Sequence, residues 1–224
     1  MLERYKTVYR GKEGEIIEKK SRFIATVRLV ETEEEALAFI EEMKKKYWNA
    51  THNCFAYVIG ERRECVRCSD DGEPSGTAGR PMLDVILGED IYNVAVVVTR
   101  YFGGVLLGTG GLVRAYSKSV QEGLAASKVI LKQKGIALKI TTDYTGLGKI
   151  QYIAGERNIP VLDSEYTDKV VMKLLVPVQD VGSVQKAITE GTNGRAGIEK
   201  DQELYYAVID GKVAYVGGFN IGKE

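Results

Sequence analysis

Between residues 22 and 30 the chain reads RFIATVRLV, with Phe23, Ala25, Val27 and Leu29 at every second position. A two-residue period puts these side chains on one face of a β-strand. The preceding GEIIEKK, residues 14–20, reads as another strand. Thr32 then precedes EEEALAFIEEMKKKYW and stands three residues before Glu35, the spacing of a capping box, so a helix is predicted. Glu33, Glu34 and Glu35 crowd its first turn and Lys44, Lys45 and Lys46 its last, which matches charge to the helix dipole. NCFAYVIG and ERRECVRC, residues 53–60 and 61–68, read as two further strands around Gly60.

Turn formers fill SDDGEPSGTAGRP, residues 69–81, and predict a loop. Pro81 suits the first turn of a helix continuing through MLDVILG. NVAVVVTRYF, residues 93–102, is apolar on both faces as far as Val98 and predicts a central strand. A glycine-rich segment links it to GLVRAYSKSVQEGLAAS, residues 111–127, where Leu112, Tyr116, Val120 and Leu124 recur at four-residue steps on one helical stripe. Arg114 and Lys118 lie together off that stripe.

Around residues 129–135 the pattern restarts. KGIALKITTDY is a strand, LGKIQYIAGERN a helix, IPVLDSEYT and DKVVMKLLVP a hairpin, VGSVQKAITEGTN a second helix and IEKDQELYYAVI a last strand. The order βαββαβ is the ferredoxin-like arrangement. The chain therefore reads as α+β with two domains, residues 1–132 and 133–224.

Composition changes this picture in three ways. With 224 residues and 44% hydrophobic content the chain has enough apolar side chains for two cores. Charge is balanced at 31 Lys/Arg against 31 Asp/Glu and stays balanced by halves, so no general basic coat for nucleic acid exists and any anion contact must come from local clustering. The N-terminus has no apolar signal region, and the longest apolar run, residues 94–98, is too short to cross a bilayer, which predicts a cytoplasmic protein with no membrane partner. Three cysteines, an odd number, argue against a disulfide framework.

The candidate chemistry centres on TRYFGGVLLGTGGLVRAY, residues 99–116. Gly103 and Gly108 have P-loop spacing, but Thr109 and Gly110 stand where lysine and Ser/Thr are needed. A dinucleotide-binding reading from Gly108 and Gly110 fails at Val113. No nucleotide cofactor, or any other cofactor, is expected. A glycine loop entering a helix nevertheless presents unpaired N–H groups at the positive end of a dipole, and SGTAGRP, residues 75–81, has the same form. If both loops meet at one sheet edge, Ser75, Gly76, Thr77, Arg80, Arg100, Gly103, Gly104, Gly110, Gly111, Arg114 and Lys118 form a phosphate-sized anion or nucleic-acid site. A second reading pairs these arginines with Asp70, Asp71 and Glu73 in an internal network that pins the loops. A third lets the same acids bind Mg²⁺ in an enzyme acting on a small phosphorylated or nucleotide substrate, although they are equally good turn formers.

His52, Cys54, Cys65 and Cys68 give H-x-C followed by C-x₂-C, the donor types of a zinc site across a hairpin. A buried free cysteine and an edge histidine account for the same residues, and no metal site is assigned. A Cys54 and His52 nucleophile pair lacks a third member to orient the base, so no catalytic residue is assigned either.

SRFIA at 21–25, HNCFAY at 52–57, SDDGEPSGTAGRPML at 69–83 and VVVTRYFGGVLLGTGGLVRAYS at 96–117 resemble the signature of the IMPACT family. The C-terminal half resembles the domain that follows it in bacterial members. The resemblance implies a first domain similar to the second domain of ribosomal protein S-five and to domain four of elongation factor G, and a second similar to domain five of that factor. It also implies a translation-associated regulatory role with RNA, ribosome or a translation factor as partner; no enzymatic activity is established for the family. The eukaryotic member restrains the amino-acid-starvation kinase by competing for its activating scaffold with the help of an extra domain, so that partner is not carried over. RRM modules stack bases on aromatics of their first and third strands. DKVVMKLLVP, the third strand of the second domain, has none.

Overall fold

Val94–Tyr101, the most apolar strand of the chain, is buried on both faces at the centre of a sheet. The structure, a computed structural model, describes residues 2–215. It contains two compact units, the first running through Leu131 and the second starting at Lys132. Among the described residues the chain forms two sheets and five α-helices.

The first unit contains β1 (Arg4–Arg10), β2 (Glu13–Glu18), β3 (Ser21–Leu29), α1 (Glu33–Lys46), β4 (His52–Ile59), β5 (Cys65–Ser69), α2 (Gly79–Gly88), β6 (Ile91–Tyr92), β7 (Val94–Tyr101) and α3 (Thr109–Ala126). Five strands make an antiparallel sheet in the order β2-β3-β7-β4-β5. Val94, Val96 and Val98 of β7 enter a core shared with α2 and α3, whereas Ala95 and Val97 enter one shared with α1. Each fully buried valine contributes roughly 1.5–3 kcal/mol, which is why an uninterrupted apolar run, without polar alternation, is stable here. Phe23, Ala25 and Val27 of β3 join the α2/α3 core as their period predicts. Ile24 is buried as well, so β3 is covered on both faces.

Thr32 caps α1 as expected, its Oγ1 accepting from the Glu35 N–H at 3.2 Å. The Glu35 carboxylate reaches one residue further back than the capping box predicts and accepts from the Glu31 N–H at 2.7 Å. Several boundaries also differ from the sequence reading. β2 stops at Glu18 because Lys19 and Lys20, at φ 45° and 69°, make the turn into β3. β5 starts at Cys65, after a turn containing Gly60 and Arg63 at positive φ. α2 begins at Gly79, two residues before Pro81. β1 was not foreseen. Its sequence RYKTVYR is mostly polar, and its parallel partner β6 has only two residues, aligned as Lys6 with Ile91 and Thr7 with Tyr92.

Into the second unit runs β8 (Lys128–Thr142), followed by α4 (Tyr144–Glu156), β9 (Val161–Tyr166), β10 (Val170–Pro177), a 3-10 turn (Val178–Asp180), α5 (Val181–Gly191), β11 (Gly197–Ile209) and β12 (Lys212–Tyr215). The strands order as β12-β11-β8-β10-β9, all antiparallel. Leaving out β12, this is the order of the ferredoxin-like βαββαβ fold, and the expected α+β class holds for the whole chain. Leu138, Ile140, Met172 and Leu174 pack beneath α4 and α5. On the opposite face the register aligns Asp163, Lys173, Lys139 and Glu199 across four strands. That row carries balanced charge and no aromatic ring. No described helix is long and apolar enough to cross a membrane.

Candidate functional site

Antiparallel order brings four connections to one end of the first sheet: the Lys19–Lys20 turn, residues 47–51 before β4, residues 70–78 after β5 and residues 102–108 after β7. They are fastened to each other through the backbone. The Phe102 N–H donates to Thr51 Oγ1 at 3.1 Å, and the Thr51 N–H to the Arg100 carbonyl at 2.9 Å. The Gly103 N–H donates to Ser21 Oγ at 3.2 Å. Gly103 lies so close to the β2–β3 turn that a Cβ would overlap the Lys20 backbone. The Asn53 N–H donates to Asp71 Oδ2 at 2.7 Å, and His52 Nδ1 donates to the Asp71 carbonyl at 2.8 Å.

Beneath these loops lies a buried polar network. Arg100 Nη1 donates to Glu73 Oε1 at 2.6 Å, and the Tyr116 hydroxyl donates to the same oxygen at 2.8 Å. His52 Nε2 stands 3.9 Å from Glu73 Oε2. The Arg100 guanidinium also lies over the rings of Phe23 and Phe102, and its Nη2 donates to Ser21 Oγ at 3.4 Å. Cys54 Sγ sits 3.0 Å from the Asp70 carbonyl and 3.3 Å from the Tyr116 hydroxyl. Burial pushes the Cys54 thiol up to about 12, so it stays protonated and poorly nucleophilic.

The two glycine loops differ in what holds their helix ends. α2 has no cap from its own N-cap residue, Ala78. Asp70 serves instead: Oδ1 accepts from the Ala78 and Gly79 N–H groups at 3.0 and 2.8 Å, and Oδ2 from the Gly76 N–H at 2.8 Å. Burial opposes ionisation of Asp70, but these three bonds outweigh it and hold the carboxyl below the usual carboxylate range. The early start of α2 follows, since Asp70 satisfies its first N–H groups. α3 starts differently. Gly108, at φ 72°, leads into it without a side-chain cap. The N–H groups of Thr109, Gly110 and Gly111 precede the first intrahelical bond, Leu112 N–H to Gly108 O, and have no partner among the described residues.

The expected convergence of three guanidinium groups is therefore corrected. Arg80 is exposed and binds Asp84 Oδ1 along its own helix at 2.8 Å. Arg100 is buried on Glu73, which is the internal-network reading. Ser75 and Gly76 lie on the surface, and Thr77 is turned inward with its hydroxyl on the Pro74 carbonyl. The anion at this helix end is Asp70 itself. The structure does bring together Gly110 and Arg114, next to Gly111, while Lys118 lies one turn beyond Arg114 along α3. Arg114 folds back so that its Nη1 lies 3.6 Å from the point a Gly110 Cβ would occupy, and neither Arg114 nor Lys118 has an ion pair among the described residues. Gly104, at φ 80°, is exposed beside them in the sequence.

Asp70, Asp71 and Glu73 do not form a common ligand set, because each carboxylate serves a different donor. Cys65 packs on the α1 side of β5, and Cys68, three residues on, lies beside Asp70 and Arg80 on the other. Among the described residues no three His, Cys, Asp or Glu side chains are grouped to hold a metal. Tyr116 escaped the sequence reading as a site residue because it occupies the apolar stripe of α3. Ser21 is marked in the sequence only as the first residue of the SRFIA stretch, with nothing to show that its hydroxyl meets Arg100 and the Gly103 N–H.

The Impact N-terminal domain family matches residues 19–124, and a domain of unknown function, DUF1949, matches residues 140–195. The IMPACT family member YvyE of Bacillus subtilis is 45% identical over 92% of this chain and 94% of its own length. The IMPACT family member YigZ of Escherichia coli is 34% identical over 79% of this chain and 87% of its own length. The crystal structure of a hypothetical protein, 30% identical, superposes with a TM-score of 0.57 over 90% of this chain and 99% of that one.

Proposed function

The chain belongs to the IMPACT family, and from that premise we propose a cytoplasmic, translation-associated regulatory protein that holds RNA phosphates, free or on the ribosome, at the start of α3. In this reading residues 1–132 carry the site and residues 133–224 make up the companion domain, whose described part, to residue 215, is ferredoxin-like. One observation carries the proposal: three N–H groups at an exposed helix start that have no partner among the described residues, with the Arg114 guanidinium beside Gly110. Helix starts of this kind favour anions. Asp70 at α2 supplies the internal comparison, because a negative group there takes the first helical N–H, of Gly79, together with those of Ala78 and Gly76 just before it. A phosphate at α3 would take the N–H groups there plus Arg114 and Lys118. Gly110 adds no side chain of its own beside Arg114, Gly111 packs against Leu107, and the exposed Gly104 leaves open space in the loop before α3.

Filter binding and ribosome co-sedimentation across a salt series test this. Log affinity should fall linearly with log salt, by about 0.7 per phosphate neutralised on a single strand. Arg114→Ala with Lys118→Ala should reduce that slope. Binding indifferent to both substitutions rejects the site, and absence of any RNA or ribosome association rejects the function.

A further inference from the structure

Trp48, the only tryptophan of the chain, exposes 82% of its surface at the same end of the sheet. It follows α1, and the chain then turns through a bond from the Ala50 N–H to the Tyr47 carbonyl. Asn49 Oδ1 accepts from the Tyr101 hydroxyl at 2.9 Å, and Thr51 is bound to both Arg100 and Phe102. Three residues of chain span at most about 11 Å. Trp48 is therefore tethered beside the end of β7, where Phe102 is 46% exposed. Cations without an ion pair among the described residues lie on the elements that meet at this end of the sheet: Lys45 in the last turn of α1, Lys19 and Lys20 in the turn packed under Gly103, and Arg114 in the first turns of α3.

Exposed rings among unpaired cations match the chemistry of an unstacked polynucleotide, which offers a flat face and a phosphate at every step. A duplex hides its base faces in the stack, and the charge-balanced row Asp163, Lys173, Lys139 and Glu199 of the second unit offers no ring to either form. We infer that Trp48 and Phe102 form a stacking platform for unpaired bases of a single-stranded RNA whose backbone is tracked by Lys19, Lys20, Lys45 and Arg114. The inference rests on the phosphate-binding reading above and names the form of nucleic acid it takes.

Trp48 is its own reporter. The full chain is titrated, following tryptophan fluorescence, with a single-stranded RNA 12-mer, the same sequence as a duplex, inorganic polyphosphate and polyglutamate. The single strand should change the emission of Trp48, and the duplex and polyphosphate should not. Trp48→Leu and Phe102→Ala should each weaken single-strand binding about tenfold without altering the salt slope, the loss expected for one stacked base; both positions are exposed, so thermal melts should match the parent chain. If the single strand binds with unchanged emission and both variants bind as the parent does, the platform is overturned while the phosphate site stands. If no polyanion binds, both fall. A response to polyglutamate but not to RNA overturns the platform in favour of an acidic protein partner.

Discussion

Arg100 and Glu73, the one at the end of the central strand and the other in the loop that precedes α2, meet at 2.6 Å with only 6% and 3% of their side chains exposed. The pair fastens the loop at residues 70–78 to β7, and Tyr116 adds α3 to the same oxygen. Two charges withdrawn from water require one another, since either left alone would face a poorly polar surrounding.

Arg100→Ala or Glu73→Ala should therefore destabilise the chain by about 3–5 kcal/mol, the cost of an unpaired buried charge. Urea denaturation measures it. Replacing both with Met and Leu should recover most of the loss, and a full loss in the double variant would mean that the pair is not what holds the loop.

Arg114→Ala combined with Lys118→Ala should leave stability within about 0.5 kcal/mol, because both side chains are exposed and without ion pairs among the described residues. The salt slope of single-stranded RNA binding should fall by up to about 1.4, about 0.7 for each cation removed. A thermal melt and a filter-binding series on one preparation separate the two effects.

Asp70→Asn should cost about 1–2 kcal/mol at neutral pH, comparable to loss of a helix cap. The folded carboxyl titrates below its unfolded value, so its contribution is present above that unfolded value and is lost as pH falls through the folded one. The stability gap between parent and variant should close on acidification. A gap constant down to the lowest measurable pH would contradict the capping role.

Cys54 should resist thiol reagents at pH 8 in the folded chain, whereas Cys68, which is exposed, should react first. Because burial raises the Cys54 thiol to about 12 from an ordinary 9.0, its contribution to stability is complete below 9.0 and declines as pH rises toward 12. Cys54→Ala should flatten that alkaline decline, as read from melting temperatures across pH 8–11.

Gly103→Ala should be much more disruptive than Gly104→Ala. A methyl at 103 overlaps the Lys20 backbone, while at 104 the space is open and the cost is that of a positive φ, about 1 kcal/mol. Comparing melting temperatures of the two variants tests the close approach of loop and turn.

Much of the fold was legible because short-range periodicity reports burial. The run 94–98, apolar without alternation, announced a strand covered on both sides, and the four-residue recurrence from Leu112 to Leu124 announced the buried stripe of α3. β1 and β6 were illegible for the complementary reason: in β1 the buried alternate positions are Tyr5 and Thr7, not aliphatic residues, and β6 is a dipeptide too short to show a period. At the site, Arg100, Arg80 and Arg114 look alike in the sequence, each near a glycine loop, yet one is buried on Glu73, one pairs with Asp84 along a helix surface and one lies beside Gly110 in the first turns of α3. Tyr116 read as core because it is core, and its hydroxyl at Glu73 leaves no trace in the pattern.

The order of residues, taken alone, determined the α+β class, the ferredoxin-like second half, the cap on α1 and the glycine entry to α3, all of which depend on neighbours within a few positions. Only the tertiary structure decided which helix start remains open to an anion. That outcome turns on whether a carboxylate from elsewhere reaches the free N–H groups: Asp70 reaches α2 and nothing described reaches α3, a difference of placement between loops that no local pattern encodes.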